Sequence, residues 1–292
     1  LVFKKLFGSG GDKAQPALDI DDLIVLERYE EAEARLKAKL KLTPNDLHSH
    51  VKLAEVYTAV RDLPRAVDEF IYSAEEYADD GFYDKAIALL AKAAKLAPLD
   101  TSLPARAERL EQKKRLEHTR QMAIEGLHQQ RRIEGDTRPV SLLDAQQLWQ
   151  DLAECSLVKR LAADQLRRLF IVMVTLRPPA GTVLAERGAS QEELYLIARG
   201  TVEAVLGGDG GYSVLRGFGG GDIFGEGALF EHRPWPARYR VAEKAVLLRL
   251  DKAGLEQALL GNSDPRALID ALRDKRHDAA VAAAVAKLEA RG

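Results

Sequence analysis

Phe218–Ala242, FGGGDIFGEGALFEHRPWPARYRVA, is the stretch around which the chain is organised. Its centre is Gly221-Asp222-Ile223-Phe224-Gly225-Glu226-Gly227-Ala228-Leu229. Glycines on both sides of a single acid, followed by a short apolar run, suit a turn in which backbone N–H groups approach an anion closely. That is the chemistry of a cradle for a phosphate and a sugar.

The order Phe224-Gly225-Glu226, then Ala228-Leu229, resembles the phosphate-binding cassette of the cyclic-nucleotide-binding domain, a β-roll in which F-G-E-x-A-L is followed further along by an arginine. The resemblance implies that the glutamate takes a ribose 2′-hydroxyl, that the arginine and backbone amides take the cyclic phosphate, and that a following helix covers the base. Phe224, Gly225, Glu226, Ala228 and Leu229 match, but the arginine does not. Its place falls on Trp235 or Pro236, and neither offers the planar fork of donors that grips a phosphate. Arg233 and Arg238 flank that place. A two-residue offset along a strand keeps the face but moves the side chain by about 6.6 Å, so a substitute arginine and a degenerate cassette are both open readings. The expected ligand-binding set is Phe224, Gly225, Glu226, Gly227, Ala228, Leu229, Arg233, Trp235 and Arg238.

Two roles are open to Glu226, a ribose ligand or a structural acid that satisfies turn amides. A bound phosphate without its charged partner loses roughly 1.5–3 kcal/mol per missing charge-assisted hydrogen bond, which is roughly a ten- to hundredfold loss of affinity. Trp235 and Tyr239 either stack on a base or fill the pocket with aromatic surface. Pro234 and Pro236 stiffen the approach and remove two backbone donors, which favours an altered or lost specificity.

Working outward, short strands punctuated by glycine precede the cassette. Strand character begins at Ile171-Val172-Met173-Val174. Gly181, Gly188 and Gly200 are expected turn glycines around Glu193–Val205. Gly207–Gly211 reads as a hairpin loop, since it lacks the lysine and the serine or threonine of a P-loop. Ser141–Asp144 opens a helix, and Leu152–Leu169 gives one or two more, with Asp164 expected as a cap. Cys155 reads as a packing residue. After the cassette come strands at Arg240–Ala242 and Ala245–Leu250, a helix from Lys252 to Leu260, and another from Arg266 to about Leu288 behind Ser263-Asp264-Pro265. The β-roll resemblance covers about Leu152 to Leu288. No DNA-binding segment is expected after it.

The other half is helical. From Asp21-Asp22, two acids placed to cap a helix, to about Arg132 nothing alternates with period two for long. Tyr29-Glu30-Glu31-Ala32, Leu36 and Pro44 recur as Tyr83-Asp84-Lys85-Ala86, Leu90 and Pro98, with Leu53, Ala54, Tyr57, Ala66 and Phe70 between them. This resembles a tetratricopeptide repeat over about Asp21–Asp100. One departure is that a single helix, about Arg65 to Tyr77, ends one repeat and begins the next. The resemblance implies a partner-binding scaffold, and a helical spacer or dimerisation unit is the alternative. Leu103–Arg132 reads as a charged connecting helix rather than a nucleic-acid surface. Gly135–Pro139 is the expected domain boundary.

Bulk properties narrow the rest. With 292 residues the chain can hold roughly two domains. A net charge of −2 gives no general attraction to nucleic acid, and one cysteine excludes an internal disulfide. No apolar run suits a membrane span. Leu1-Val2-Phe3-Lys4-Lys5-Leu6-Phe7 either docks on a surface as an amphipathic element or is disordered, and Gly8–Gly11 reads as a tether. Six histidines, including His48, His50 and His232, form no set with a nucleophile or other metal ligands.

The sequence therefore predicts an α+β chain of two domains: a tail at 1–20, a tetratricopeptide-like α-helical solenoid with its connecting helix at 21–135, and an antiparallel β-roll flanked by helices at 136–292. The expected function is a non-enzymatic, cytoplasmic regulatory adaptor. Its helical repeat binds a protein partner, and its β-roll senses a cyclic nucleotide such as cAMP or cGMP, with no cofactor and no metal. A ligand-free interaction scaffold is the alternative, and a homodimer is open.

Overall fold

The computed structural model describes residues 18–130, 139–208, 211–274 and 277–290. The leading Leu1–Phe7 element, the tether and most of Gly135–Pro139 lie outside the described residues. Packing divides the chain into two compact units between Arg115 and Leu116.

The first unit holds helices α1 (Ile20–Val25), α2 (Tyr29–Leu42), α3 (Leu47–Ala59), α4 (Leu63–Asp79), α5 (Tyr83–Leu96) and the first part of α6 (Ser102–His128). Its described residues contain no strand. Caps set the helix starts. Asp19, rather than Asp21 or Asp22, caps α1, and Asp22 returns a bond to the Asp19 N–H at 3.1 Å, a reciprocal pair that fixes the first turn. Asp46 caps α3, and Asp62 caps α4 with Pro64 in the opening turn, where its missing N–H costs nothing. Each of α1 to α5 packs on its neighbour in the chain. Ala32, Ala66, Ala86 and Ala93 are fully buried in these seams, where a methyl side chain lets helices approach closely. Leu36, Leu53 and Tyr57 form one core, and Phe70, Leu90 and Leu103 another.

The second unit continues from α6 into α7 (Leu142–Leu152), α8 (Ser156–Arg160) and α9 (Ala163–Val172). Ser141 caps α7 with Asp144 returning the bond, as its spacing predicts. Asp164 does not cap α9. It stands inside the first turn, and Gln165 instead reaches back to the Ala162 N–H at 3.1 Å. Ile171 and Val172, expected to open a strand, complete α9, because Leu166, Leu169, Phe170 and Val172 form one buried helical face.

Two antiparallel four-stranded sheets follow. Their strands are β1 (Val174–Leu176), β2 (Val183–Ala185), β3 (Glu193–Arg199), β4 (Val202–Gly208), β5 (Gly211–Phe218), β6 (Ile223–Phe224), β7 (Arg238–Val241) and β8 (Val246–Asp251). The orders are β1-β8-β3-β6 and β2-β7-β4-β5. Strand β3 is buried on both faces. Leu194, Leu196 and Ala198 meet the core shared with the helices, and Tyr195 and Ile197 meet the core between the sheets. Helix α10 (Glu226–Glu231) sits between β6 and β7, and α11 (Lys252–Leu259), α12 (Pro265–Leu272) and α13 (His277–Glu289) close the unit. The long helix expected from Arg266 is thus two. Asp264 caps α12, which ends at Leu272. Val281 and Val285 of α13 are buried in the core between the sheets. Cys155 is a buried residue of the helix-facing core. Among the described residues no helix is long and apolar enough to cross a membrane.

Candidate functional site

The cassette stretch begins where β6 pairs with β3, Phe224 opposite Tyr195. Gly225 follows with φ of 92°, and a Cβ there would stand 2.4 Å from the Glu193 carbonyl oxygen, so only glycine makes this turn. The chain then enters α10 at Glu226.

Glu226 is 6% exposed and Asp278, on α13, is 5% exposed. The two residues interlock. Glu226 Oε1 accepts the Asp278 backbone N–H at 2.7 Å, and Asp278 Oδ2 accepts the Gly227 N–H at 2.9 Å. Asp278 Oδ1 accepts the Tyr239 hydroxyl at 2.9 Å. Glu226 Oε2 is buried with no hydrogen-bond partner among the described residues. Burial, and then the Asp278 carboxylate beside it, push the Glu226 carboxyl up to about 7. The same two causes hold the Tyr239 phenol well above its usual value.

A cleft of about 170 Å³ opens over this pair, bordered by Glu226, Gly227, Arg233, Pro236, Arg273 and Asp278. That is smaller than the roughly 300–1,000 Å³ of ordinary ligand pockets. Both arginines at its edge are engaged by one acid: Arg233 Nε lies 2.9 Å from Glu231 Oε2, and Arg273 Nη2 donates to Glu231 Oε1 at 2.6 Å.

The structure brings Glu226, Gly227, Ala228 and Arg233 to the cleft, with Gly225 as the turn that delivers them. Leu229 is buried against the helix-facing core. Phe224 stacks between Tyr195 and Tyr239, with ring centroids 5.3 Å from each. Trp235 is 1% exposed. Its Nε1–H donates to the Gln191 carbonyl at 3.0 Å, and its ring lies edge-on to Tyr239 at 4.8 Å. Of the two roles open to Trp235 and Tyr239, the structure shows aromatic filling of the core. Arg238 opens β7 and donates to Glu186 at 2.8 Å, away from the cleft.

Sequence reasoning missed Asp278 and Arg273. Asp278 lies 52 residues from Glu226, so no local motif contains it. It did leave one signal, a lone acid in helical phase with Val281 and Val285 in an alanine-rich segment. Among the described residues no group of three or more His, Cys, Asp or Glu side chains is placed to hold a metal.

Part of the chain is similar to known proteins. Residues 176–262 match the family model of the cyclic nucleotide-binding domain. A cAMP-dependent protein kinase regulatory subunit from Blumeria graminis is 32% identical over 108 residues, covering 37% of this chain and 27% of that protein. The potassium channel KOR2 of Oryza sativa subsp. japonica is 36% identical over 83 residues, covering 27% of this chain and 11% of that protein. The chain thus spans only a small part of either relative. Among solved structures, the regulatory domain of Toxoplasma gondii PKA, crystallised with cAMP, is 27% identical, covers 38% of this chain and 42% of that one, and has a TM-score of 0.34. The match to that family model runs from the end of β1 to just beyond α11.

Proposed function

We propose that the protein is a non-catalytic regulatory adaptor. Its helical unit acts as a tetratricopeptide-like scaffold that holds a protein partner. Its β unit responds at the cassette to a cyclic nucleotide or a related ligand. The observation that carries this reading is the bonding of Glu226 and Gly227 of the cassette to α13. A ligand that engages those groups changes what α13 can hold, which is how occupancy becomes a signal. In the helical unit, a cleft of about 460 Å³ bordered by Asp79, Arg106, Arg109 and Lys113 suits a peptide segment of the partner.

A ligand-free scaffold is the second reading, favoured by Trp235 standing as core where an arginine would be needed and by the engagement of Arg233 with Glu231. Thermal melting of the full chain with excess cyclic AMP, cyclic GMP or cyclic di-GMP separates the two, because a ligand that binds only the folded state must stabilise it. The sensor reading expects a rise of several degrees that Glu226→Ala abolishes. No rise with any of the three favours the scaffold.

A further inference from the structure

We infer that Asp278 is a resident competitor of the cassette: α13 and an anionic ligand cannot hold Glu226 and Gly227 at the same time, so a ligand must displace α13 to enter. The competition rests on the ligand reading above, whereas the self-occupied state rests on geometry alone.

Two polar groups of the cassette at the cleft, the Glu226 carboxyl and the Gly227 N–H, are bonded to one residue. Asp278 gives its backbone N–H to Glu226 at 2.7 Å and receives the Gly227 N–H at 2.9 Å, while its other oxygen receives the Tyr239 hydroxyl. This is a built contact. Its first turn is held at a second point, where the His277 ring lies edge-on to Phe218 at 5.4 Å and its Nε2 is 3.5 Å from Asp222 Oδ1. Val281 and Val285 then anchor the helix in the core between the sheets. Asp278 also lies outside the segment that matches the cyclic nucleotide-binding domain, so the contact is made by a part of this chain beyond that match.

An anionic ligand at the Gly227 N–H would stand against the Asp278 carboxylate with Glu226 alongside. The ligand's charge and the Asp278 carboxylate repel each other strongly in a site sheltered from water, and the nearby Arg233 and Arg273 share Glu231. The self-occupied state is also incomplete. Among the described residues Glu226 Oε2 is buried without a partner, and an unmade buried hydrogen bond is a standing cost. A ligand hydroxyl would satisfy that oxygen, so displacement of Asp278 gains a bond that the closed state lacks.

The test is residue-resolved amide hydrogen exchange on the full chain, for wild type, Asp278→Ala and Asp278→Asn, with and without saturating cyclic AMP, together with the cyclic AMP affinity of each. Without ligand, Asp278→Ala should raise exchange at Gly227 and along α13 by about tenfold or more, the loss expected for a charge-assisted bond, while β3 and β8 stay unchanged. In wild type, cyclic AMP should speed exchange in α13 while Gly227 remains protected. Asp278→Ala should bind cyclic AMP about tenfold more tightly. Asp278→Asn keeps the side-chain volume and an acceptor, so it should tighten binding even if the alanine variant folds poorly. Unchanged α13 exchange in both variants would overturn the self-occupied state. Saturation with α13 still protected would overturn the competition. Binding by no variant, with α13 still loosened by Asp278→Ala, would overturn both the competition and the sensor reading, and leave the contact as a clasp.

Discussion

The helical unit and the β unit use carboxylates in opposite ways. In the helical unit the acids sit partly exposed beside cations and cap helices. Lys39, then Ser49, hold the Asp46 carboxyl down at about 2, Lys37 holds Glu33 low, and Arg65 holds Asp62 low. In the β unit Glu226 and Asp278 are buried together, bonded among the described residues to backbone amides and a phenol and to no cation, and Glu226 is pushed upward. The first arrangement trims the surface. The second places perturbed acids at a cleft at a cost in stability, which is the pattern expected where a site is held ready for something else.

The contrast breaks most visibly at Trp235. Trp235→Arg would restore an arginine at the expected place, but it buries a guanidinium among Tyr195, Phe224 and Tyr239. It should destabilise the β unit by about 3–5 kcal/mol or more, measured by urea denaturation. A stable variant that gained cyclic AMP binding would show that Trp235 belongs to the ligand site and not to the core.

A smaller effect is a pH dependence of opposite sign in the two units. Glu226 is raised from 4.5 to about 7, so the folded state holds more protons than the unfolded state across that window. The urea midpoint of the β unit should therefore fall as pH rises between about pH 5 and pH 7, and Glu226→Gln should remove that share of the slope. The groups around Glu226 are Asp278 on α13 and Tyr239 on β7, with His277 and Asp222 beside them. Asp46 behaves conversely. Its contribution is present above the ordinary 3.8 and is lost as pH falls toward 2.

The last two effects are smaller still. Asp46→Ala removes the cap of α3 and should cost about 1 kcal/mol, read as a lower urea midpoint of the helical unit. Arg238→Ala removes only an exposed pair with Glu186 and should change stability by about 0.5 kcal/mol or less, with no effect on ligand binding. A large loss there would bring Arg238 back as a phosphate ligand.

Much of this architecture is written locally. Gly181, Gly188 and Gly200 adopt positive φ between strands as their spacing predicts, and Gly225 turns the chain into α10 at Glu226. What escaped was decided by tertiary context. The β-branched Ile171 and Val172 look like strand, but the helix-facing core draws them into the last turn of α9. Asp21, Asp22 and Asp164 have capping chemistry, yet the backbone enters each helix earlier, and Asp19 and Ala162 take the cap position. Trp235 carries both an apolar body and a donor, and only the fold shows its donor turned to Gln191. Asp278 was hidden because its partners Glu226, Gly227 and Tyr239 are distant in sequence.

The most direct measurement is a carboxyl carbon NMR titration of Glu226 in the full chain, wild type and Asp278→Asn. The account predicts that Glu226 titrates near 7 in wild type and moves toward the ordinary carboxylate range once the neighbouring charge is removed. A wild-type Glu226 that titrates in the ordinary range, unaltered by Asp278→Asn, would contradict a buried acid pair at the cassette.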